Sequence, residues 1–459
     1  MNLIGTKLSD VWCQFQRRLA AGPRARAIVV IGGWSLLAKV CAAANMFGSV
    51  PLVMHSLGAS SFGVWATLVS LVAFSGFLDF GIGNGVMNLT ASASAKGDDE
   101  AVLAVQRVGL RTMLWISATF LLLISFSLPL VHWHVLLGQS AQDEETCRNS
   151  AAIVLYTIAA AIPLNLVTRI WLGLGRGATA FQWQAGGQVA SLAAVYIVAQ
   201  GDPTLARFVA ATVALPLAFT AGSALALKRH LNVKSHKSRA NRATDPSLQR
   251  TVLREGILFF VLQLAGAIAF ASDLALITYL VGSAEAGTYA LAQRLFSVIP
   301  IGLALLWTPL WPIYRHSLAT GQHAWVLRTL RRSTLFSAAA AALGGIAIFL
   351  GYNHILSFWV HAAPQAPTML IGGMVVWAVI DASGNSIATF LNAASVVRFQ
   401  VIVGILFAIG CLAAKVAALK LLGTYALPWA TSITYLVLVL VPTALLFRNI
   451  IRHTISKQY

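Results

Sequence analysis

The sequence predicts an all-α polytopic membrane protein with twelve transmembrane helices in two parallel six-helix repeats. Three observations predict it: a composition too apolar for water, a regular series of apolar stretches, and basic residues confined to alternate connections. Of 459 residues, 58% are hydrophobic and 10% are charged, against about 25% charged in an ordinary soluble domain. A soluble fold of this size has no interior large enough to hide that much apolar surface. Lipid must be the solvent for most of the chain.

About 20 apolar residues cross a hydrocarbon core of ~30 Å. Residues 1–26 precede the first such run and carry Lys7, Arg17, Arg18, Arg24 and Arg26. They read as a basic cytoplasmic arm on the membrane surface rather than a cleavable signal. Spans are expected at 27–52, 61–88, 109–134, 151–173, 179–200 and 205–227, making a first bundle over 27–227. The polar, basic stretch 228–254 reads as a cytoplasmic linker. Six further spans, at 255–281, 286–314, 333–352, 367–392, 399–420 and 424–447, make a second bundle over 255–447, followed by a tail at 448–459.

The net charge of +18 has two candidate causes, nucleic acid and membrane topology. With the N-terminus inside, 26 of the 32 Lys and Arg residues fall on cytoplasmic segments, eight of them between Lys228 and Arg254. That is the positive-inside pattern, with both termini cytoplasmic. It excludes nucleic acid as the explanation and leaves attraction to anionic lipid headgroups as a by-product. Cys13, Cys41, Cys147 and Cys411 are scattered, which predicts neither a structural disulfide nor a metal site.

A shift of 224 residues superposes Leu57-Gly58-Ala59-Ser60-Ser61-Phe62-Gly63-Val64-Trp65-Ala66 on Val281-Gly282-Ser283-Ala284-Glu285-Ala286-Gly287-Thr288-Tyr289-Ala290. Both segments start at a glycine turn and lead into an even-numbered span through Gly-x-aromatic. Six spans per half is an even number, so both halves enter the membrane in the same sense. Parallel repeats of this kind bind substrate between halves and alternate access by rocking.

These segments, with Leu78-Asp79-Phe80-Gly81-Ile82-Gly83-Asn84-Gly85, Ala286-Gly287-Thr288-Tyr289-Ala290-Leu291 and Phe390-Leu391-Asn392-Ala393-Ala394, carry a resemblance. The chain resembles the polysaccharide transport family, to which the O-antigen flippases belong, within the multidrug/oligosaccharidyl-lipid/polysaccharide flippase superfamily. The resemblance implies a V-shaped transporter with a cation-lined central cavity in the bacterial cytoplasmic membrane. It implies translocation of a lipid-diphosphate-linked oligosaccharide from the cytoplasmic to the periplasmic leaflet, without a cofactor. Membrane lipids, protons or sodium ions, and polysaccharide polymerase machinery are the partners it suggests.

Ionisable residues inside spans are costly and by default face a cavity. Lys39 in the first span and Arg294 in the eighth are the leading candidates for binding the diphosphate, through a mobile point charge and a planar fork respectively. The competing role for each is to neutralise a buried Asp, or for Lys39 to snorkel. Ser35, Lys39, Ala42, Met46 and Ser49 share one helical stripe. Lys415 is either a third cavity cation or an outer-rim residue. Asp273 and Asp381 either pair with Arg294 or Lys415 or couple transport to an ion, and Asp79 reads as a structural or gate ion pair, with proton transport as its alternative. Trp65 and Tyr289, at equivalent repeat positions, are candidates for an outer gate.

Three function classes compete. A flippase for an anionic glycan lipid leads. An organic-cation or drug antiporter of the same superfamily needs unpaired carboxylates at midplane, where the sequence instead puts Lys39 and Arg294. A membrane enzyme of glycan assembly needs a nucleophile, a catalytic constellation or a large outer loop. The longest outer connection, 135–150, contains only Asp143, Glu144, Glu145 and Arg148 as charged residues.

Overall fold

The computed structural model describes residues 23–72, 75, 82–235, 261, 264–319, 321–360, 364–394 and 396–446. Asp79, the arm up to residue 22, most of the 228–254 linker and the 448–459 tail lie outside the described residues. Among the described residues there is no strand. Nine helices among these residues are long and apolar enough to cross a membrane, a number consistent with twelve passages once the interrupted ones are followed.

The first interruption is in α1 (Pro23–Leu71), which is broken at Gly58 with φ 76° and ψ 174°. On an unbroken helix, residues 46 and 65 would sit nearly 30 Å apart at 1.5 Å per residue. Yet the Arg294 guanidinium touches the Met46 carbonyl and the Trp65 ring together. The chain therefore turns back at Gly58, and α1 supplies the first passage and the start of the second. The positive φ is a conformation that glycine adopts without a Cβ clash. The second passage resumes in α2 (Ile82–Ala95).

The third passage is α3 (Asp99–Ser127), which begins ten residues before the expected span because Asp98 caps it by accepting from the Ala101 N–H at 2.9 Å. A short helix α4 (Trp133–Leu136) leads to α5 (Glu144–Gly173), α6 (Gly177–Gln200), α7 (Leu205–Val209) and α8 (Leu215–Ser235). The seventh passage comprises a helical stretch at 264–270 and, after a break at 271–272, α9 (Asp273–Leu280).

The eighth passage is split into α10 (Ser283–Phe296) and α11 (Val298–Ala319). Pro300 explains the split: it lacks an N–H and its ring crowds the carbonyl four residues back, that of Phe296. Next come α12 (His323–Trp359), α13 (Thr368–Ala393), α14 (Val397–Leu421) and α15 (Leu427–Tyr435), the last running on in helical form to 446. The 37 residues of α12 far exceed the expected span. An apolar-run criterion detects the lipid-embedded part of a helix, not its polar extensions.

The buried core is divided unevenly. One cluster joins residues of both halves, including Val53, Phe62, Trp65, Ile277, Ala290 and Leu356. The others stay within one half: Ile82, Met113 and Leu166 in the first; Tyr314 and Phe390, Trp307 and Ala341, and Phe407 and Cys411 in the second. The halves thus meet mainly at the end that bears the Gly58 and Gly282 turns, hereafter the sealed end.

Candidate functional site

The site lies where α1 meets α9 and α10. Its backbone is prepared by Pro51, inside α1. A proline four residues on cannot donate to the Phe47 carbonyl and tilts the preceding turn. Both carbonyls of that turn are taken by side chains from the other half. Trp359 Nε1 donates to the Phe47 oxygen at 2.9 Å, with the two rings 5.3 Å apart, and Arg294 donates to the Met46 oxygen at 2.9 Å.

The Arg294 guanidinium also lies 4.7 Å from the centroid of the Trp65 ring, a cation–π contact. Trp65 is fully buried and donates its Nε1–H to Thr212 at 3.3 Å. Arg294 itself is half-buried, and no described carboxylate pairs with it. One of its five N–H donors is spent on Met46; the planar fork retains others for an anion.

Lys39 is exposed and lies on the Met46 side of α1. Seven residues separate the two, about 10 Å along the helix, in the direction away from the sealed end. Lys39 thus lies about 10 Å farther from the sealed end than the carbonyl that Arg294 holds, so the two cations are not level. Beside them, Asn45 Nδ2 donates to Gln188 at 2.8 Å and to Ser191 at 3.1 Å, which ties α1 to α6.

Lys415 departs from the expected cavity cation. It is fully buried inside the second half, ion-paired with Asp273 and donating to the Ala269 carbonyl just before the break in the seventh passage. Asp273 in turn accepts from the Tyr289 hydroxyl at 2.8 Å. The ion pair neutralises Lys415 and removes it from any anion-binding role, and the Lys415–Asp273–Tyr289 chain joins α14, α9 and α10. Breaking one partner of such a pair strands a buried charge, at a cost of about 3–5 kcal/mol. Lys415→Met should therefore lower the thermal unfolding midpoint in detergent markedly. The double variant Lys415→Met, Asp273→Asn should recover most of the loss.

The sealed end is closed by the repeated segment packing on its own counterpart. Gly63 and Gly287, equivalent under the 224-residue shift, face each other: a Cβ on Gly63 would lie 1.7 Å from the Ser283 carbonyl oxygen, and one on Gly287 would lie 3.4 Å from Gly63 Cα. Around them, the Thr67 and Thr278 hydroxyls meet at 2.6 Å and those of Ser60 and Ser283 at 2.9 Å. Gln139, from the connection between α4 and α5, bridges both serines, donating to Ser60 at 3.0 Å and to Ser283 at 2.6 Å.

Trp65 and Tyr289 flank this crossing, each hydrogen-bonded back into its own half. Glu144 fixes that connection by accepting from the Trp133 and His134 N–H groups, at 3.3 and 2.8 Å. Interhelical hydrogen bonds in lipid average only ~0.6 kcal/mol each. The hydroxyl pairs therefore add little to the buried apolar contacts that hold the seal.

Asp381 in α13 accepts from Asn385 at 2.9 Å and, with Phe270, borders two cavities of the second half. The sequence singled out Arg294 and Asp381 but gave no sign of Gln139 or of the Gly63–Gly287 crossing. Pro51, four residues after Phe47, was the available signal for a free carbonyl. Among the described residues no three His, Cys, Asp or Glu side chains come together as metal ligands.

The fold is shared with known transporters. A multidrug resistance MATE family transporter of the MOP superfamily, solved in its inward-facing conformation, matches with a TM-score of 0.69 at 14% identity, over 92% of this chain and 98% of that one. The lipid II flippase MurJ, in an inward closed conformation, matches with a TM-score of 0.68 at 10% identity, over 93% and 90%. A MOP superfamily transporter from Pyrococcus furiosus, described as having a binding pocket of reverse polarity, matches with a TM-score of 0.62 at 14% identity, over 96% and 98%. No curated protein matches the sequence. The model of the family described as "polysaccharide biosynthesis protein" matches residues 31–315. With more than half of its length so matched, the chain belongs to the polysaccharide biosynthesis protein family.

Proposed function

We propose that the protein is a flippase that carries a polyprenyl-diphosphate-linked oligosaccharide from the cytoplasmic to the periplasmic leaflet for cell-surface polysaccharide synthesis. One observation carries the reading: a half-buried guanidinium without a described carboxylate partner stands at the meeting of the two halves. In a glycan-biosynthesis family, an anionic glycan lipid is the substrate that such a group recognises.

In this reading the sealed end is periplasmic, both termini are cytoplasmic, and the protein lies in the bacterial inner membrane. The bundles 27–227 and 255–447 rock about the Gly63–Gly287 crossing. A diphosphate entering from the cytoplasmic side meets Lys39 first and then Arg294. Phosphate oxygens are stronger acceptors than a carbonyl, so they draw the guanidinium off Met46 and release one of the ties that hold the halves together. A hydrogen bond from a charged donor is worth about 1.5–3 kcal/mol, within the range of typical coupling energies. Of the two described candidates for coupling to protons or sodium ions, Asp381 is the one left, since Asp273 is held by Lys415.

The same Asp381, beside aromatic side chains, favours a second reading as an organic-cation antiporter. Reconstituted vesicles separate the two. The flippase reading expects protein-dependent movement of a fluorescent lipid-diphosphate trisaccharide, at least tenfold above protein-free vesicles, and no gradient-driven uptake of tetraphenylphosphonium. Uptake of the cation without movement of the glycan lipid would reject it.

A further inference from the structure

The second half contains two cavities, of about 290 and 350 Å³, that share Phe270 and Asp381. Volumes near 300 Å³ are at the lower end of small-ligand pockets. The first is lined by residues of the second half alone and by none of α10, whereas the second runs along α10 past Gln293, Phe296 and Ser297, beside Arg294. The first is reached from the end opposite the seal: its lining includes Asn392 near the end of α13 and Gln400 near the start of α14. The second continues toward the sealed end, past Trp377 to Pro428 at the start of α15.

The first cavity's lining combines two kinds of group. Phe270, Phe407 and Tyr435 form an aromatic cluster, with centroids of Phe270 and Phe407 5.5 Å apart and of Phe407 and Tyr435 5.1 Å apart. Gly384 makes room for Tyr435, since a Cβ there would lie 2.2 Å from the phenol oxygen. The polar groups are Asp381, Asn385, Asn392 and Gln400.

These polar groups are partly committed to one another: Asn385 donates to Asp381 at 2.9 Å, and Gln400 to Asn392 at 3.1 Å. A carboxylate accepts through about four lone-pair sites and each amide has two donors and a carbonyl. This much hydrogen-bonding capacity, set against aromatic walls within a membrane bundle, suits a ligand that is hydroxylated at its edges and apolar on its faces.

We propose that this cavity is a pyranose-binding subsite, holding a sugar of the glycan while the diphosphate engages Arg294. The inference rests on the flippase reading above but addresses a different part of the substrate. The amides and Asp381 take the ring hydroxyls, and the aromatic cluster takes a sugar face. A site built to hydrogen-bond hydroxyls rejects ligands that lack them, so this pocket, not the Arg294 site, sets glycan preference. Gly266 lines the cavity, and a Cβ there meets nothing within 4 Å, so a larger side chain at 266 projects into the space without displacing backbone.

The test is saturation-transfer NMR on the full chain in a sugar-free detergent, with methyl glycosides of glucose, galactose, rhamnose and N-acetylglucosamine as probes. At least one glycoside should receive saturation from the wild type. The signal should fall at least threefold in both Gly266→Leu and Gln400→Ala and persist in Arg294→Ala. No transfer to any glycoside, or unchanged transfer in both pocket variants, overturns the proposal. So does displacement of the glycoside by tetraphenylphosphonium, which marks the pocket as a cation site. Translocation of the lipid-diphosphate trisaccharide is measured on the same preparations. A wild type that flips the lipid but binds no glycoside defeats the subsite and spares the flippase reading; a wild type that does not flip it defeats the flippase reading itself.

Discussion

Arg294→Ala should lower the rate of lipid-diphosphate glycan translocation by about ten- to a hundredfold, the loss expected for one charge-assisted hydrogen bond of about 1.5–3 kcal/mol. Arg294→Lys should retain an intermediate rate. It keeps the charge and a weaker contact with the Trp65 face, but it loses the planar fork that grips two phosphate oxygens at once. The substitution has a second effect. Arg294 also ties α10 to α1 through the Met46 carbonyl, so the alanine variant should open the sealed end more readily when no substrate is present. A fall in transport together with greater solvent access to Thr278→Cys would show both roles in one protein. Equal transport by the wild type and the alanine variant would remove Arg294 from the substrate path.

Gly63→Val should abolish transport. Its Cβ would collide with the Ser283 carbonyl, 1.7 Å away, and neither backbone can yield without parting the halves. Open states of the sealed end avoid the clash, so the equilibrium shifts toward them. Shifting a two-state equilibrium from 1:99 to 99:1 takes about 5.5 kcal/mol. The check is labelling of Thr278→Cys by a membrane-impermeant maleimide in a cysteine-free background. Thr278 is buried against Thr67 and should be protected when residue 63 is glycine and labelled when it is valine. Protection in both proteins would mean that the crossing is not a gate.

Most of the fold was legible in the sequence because its cause is compositional. Apolar runs mark lipid-crossing segments one at a time, and each run was found near where the structure has a helix. The limits of the helices were less legible: α3 and α12 extend well past their apolar parts, because a helix does not end where lipid does. The repeat was legible too, and it led to the correct turns, since Gly58 and Gly282 both adopt positive φ.

What packs on what was harder to read. Nothing in the one-dimensional pattern says that the two copies of the repeated motif lie against each other, so the Gly63–Gly287 contact was out of reach. Lys415 illustrates a different limit. Lys39, Arg294 and Lys415 look alike as isolated charges in apolar sequence, yet one is exposed, one is half-buried against a carbonyl and a ring, and one is sealed in an ion pair. The residue that distinguishes the last case, Asp273, is 142 positions away in the chain.

The most direct measurement compares two substrates that differ only at the linkage: one trisaccharide carried on a polyprenyl diphosphate, and the same trisaccharide on a neutral polyprenyl ether. Both are followed in vesicles containing the wild type or Arg294→Ala. If Arg294 recognises the diphosphate, the wild type moves the charged lipid at least tenfold faster than the neutral one, and the alanine variant moves the two at similar, low rates. Equal rates for both lipids in the wild type, or undiminished discrimination in the variant, would contradict diphosphate recognition by Arg294.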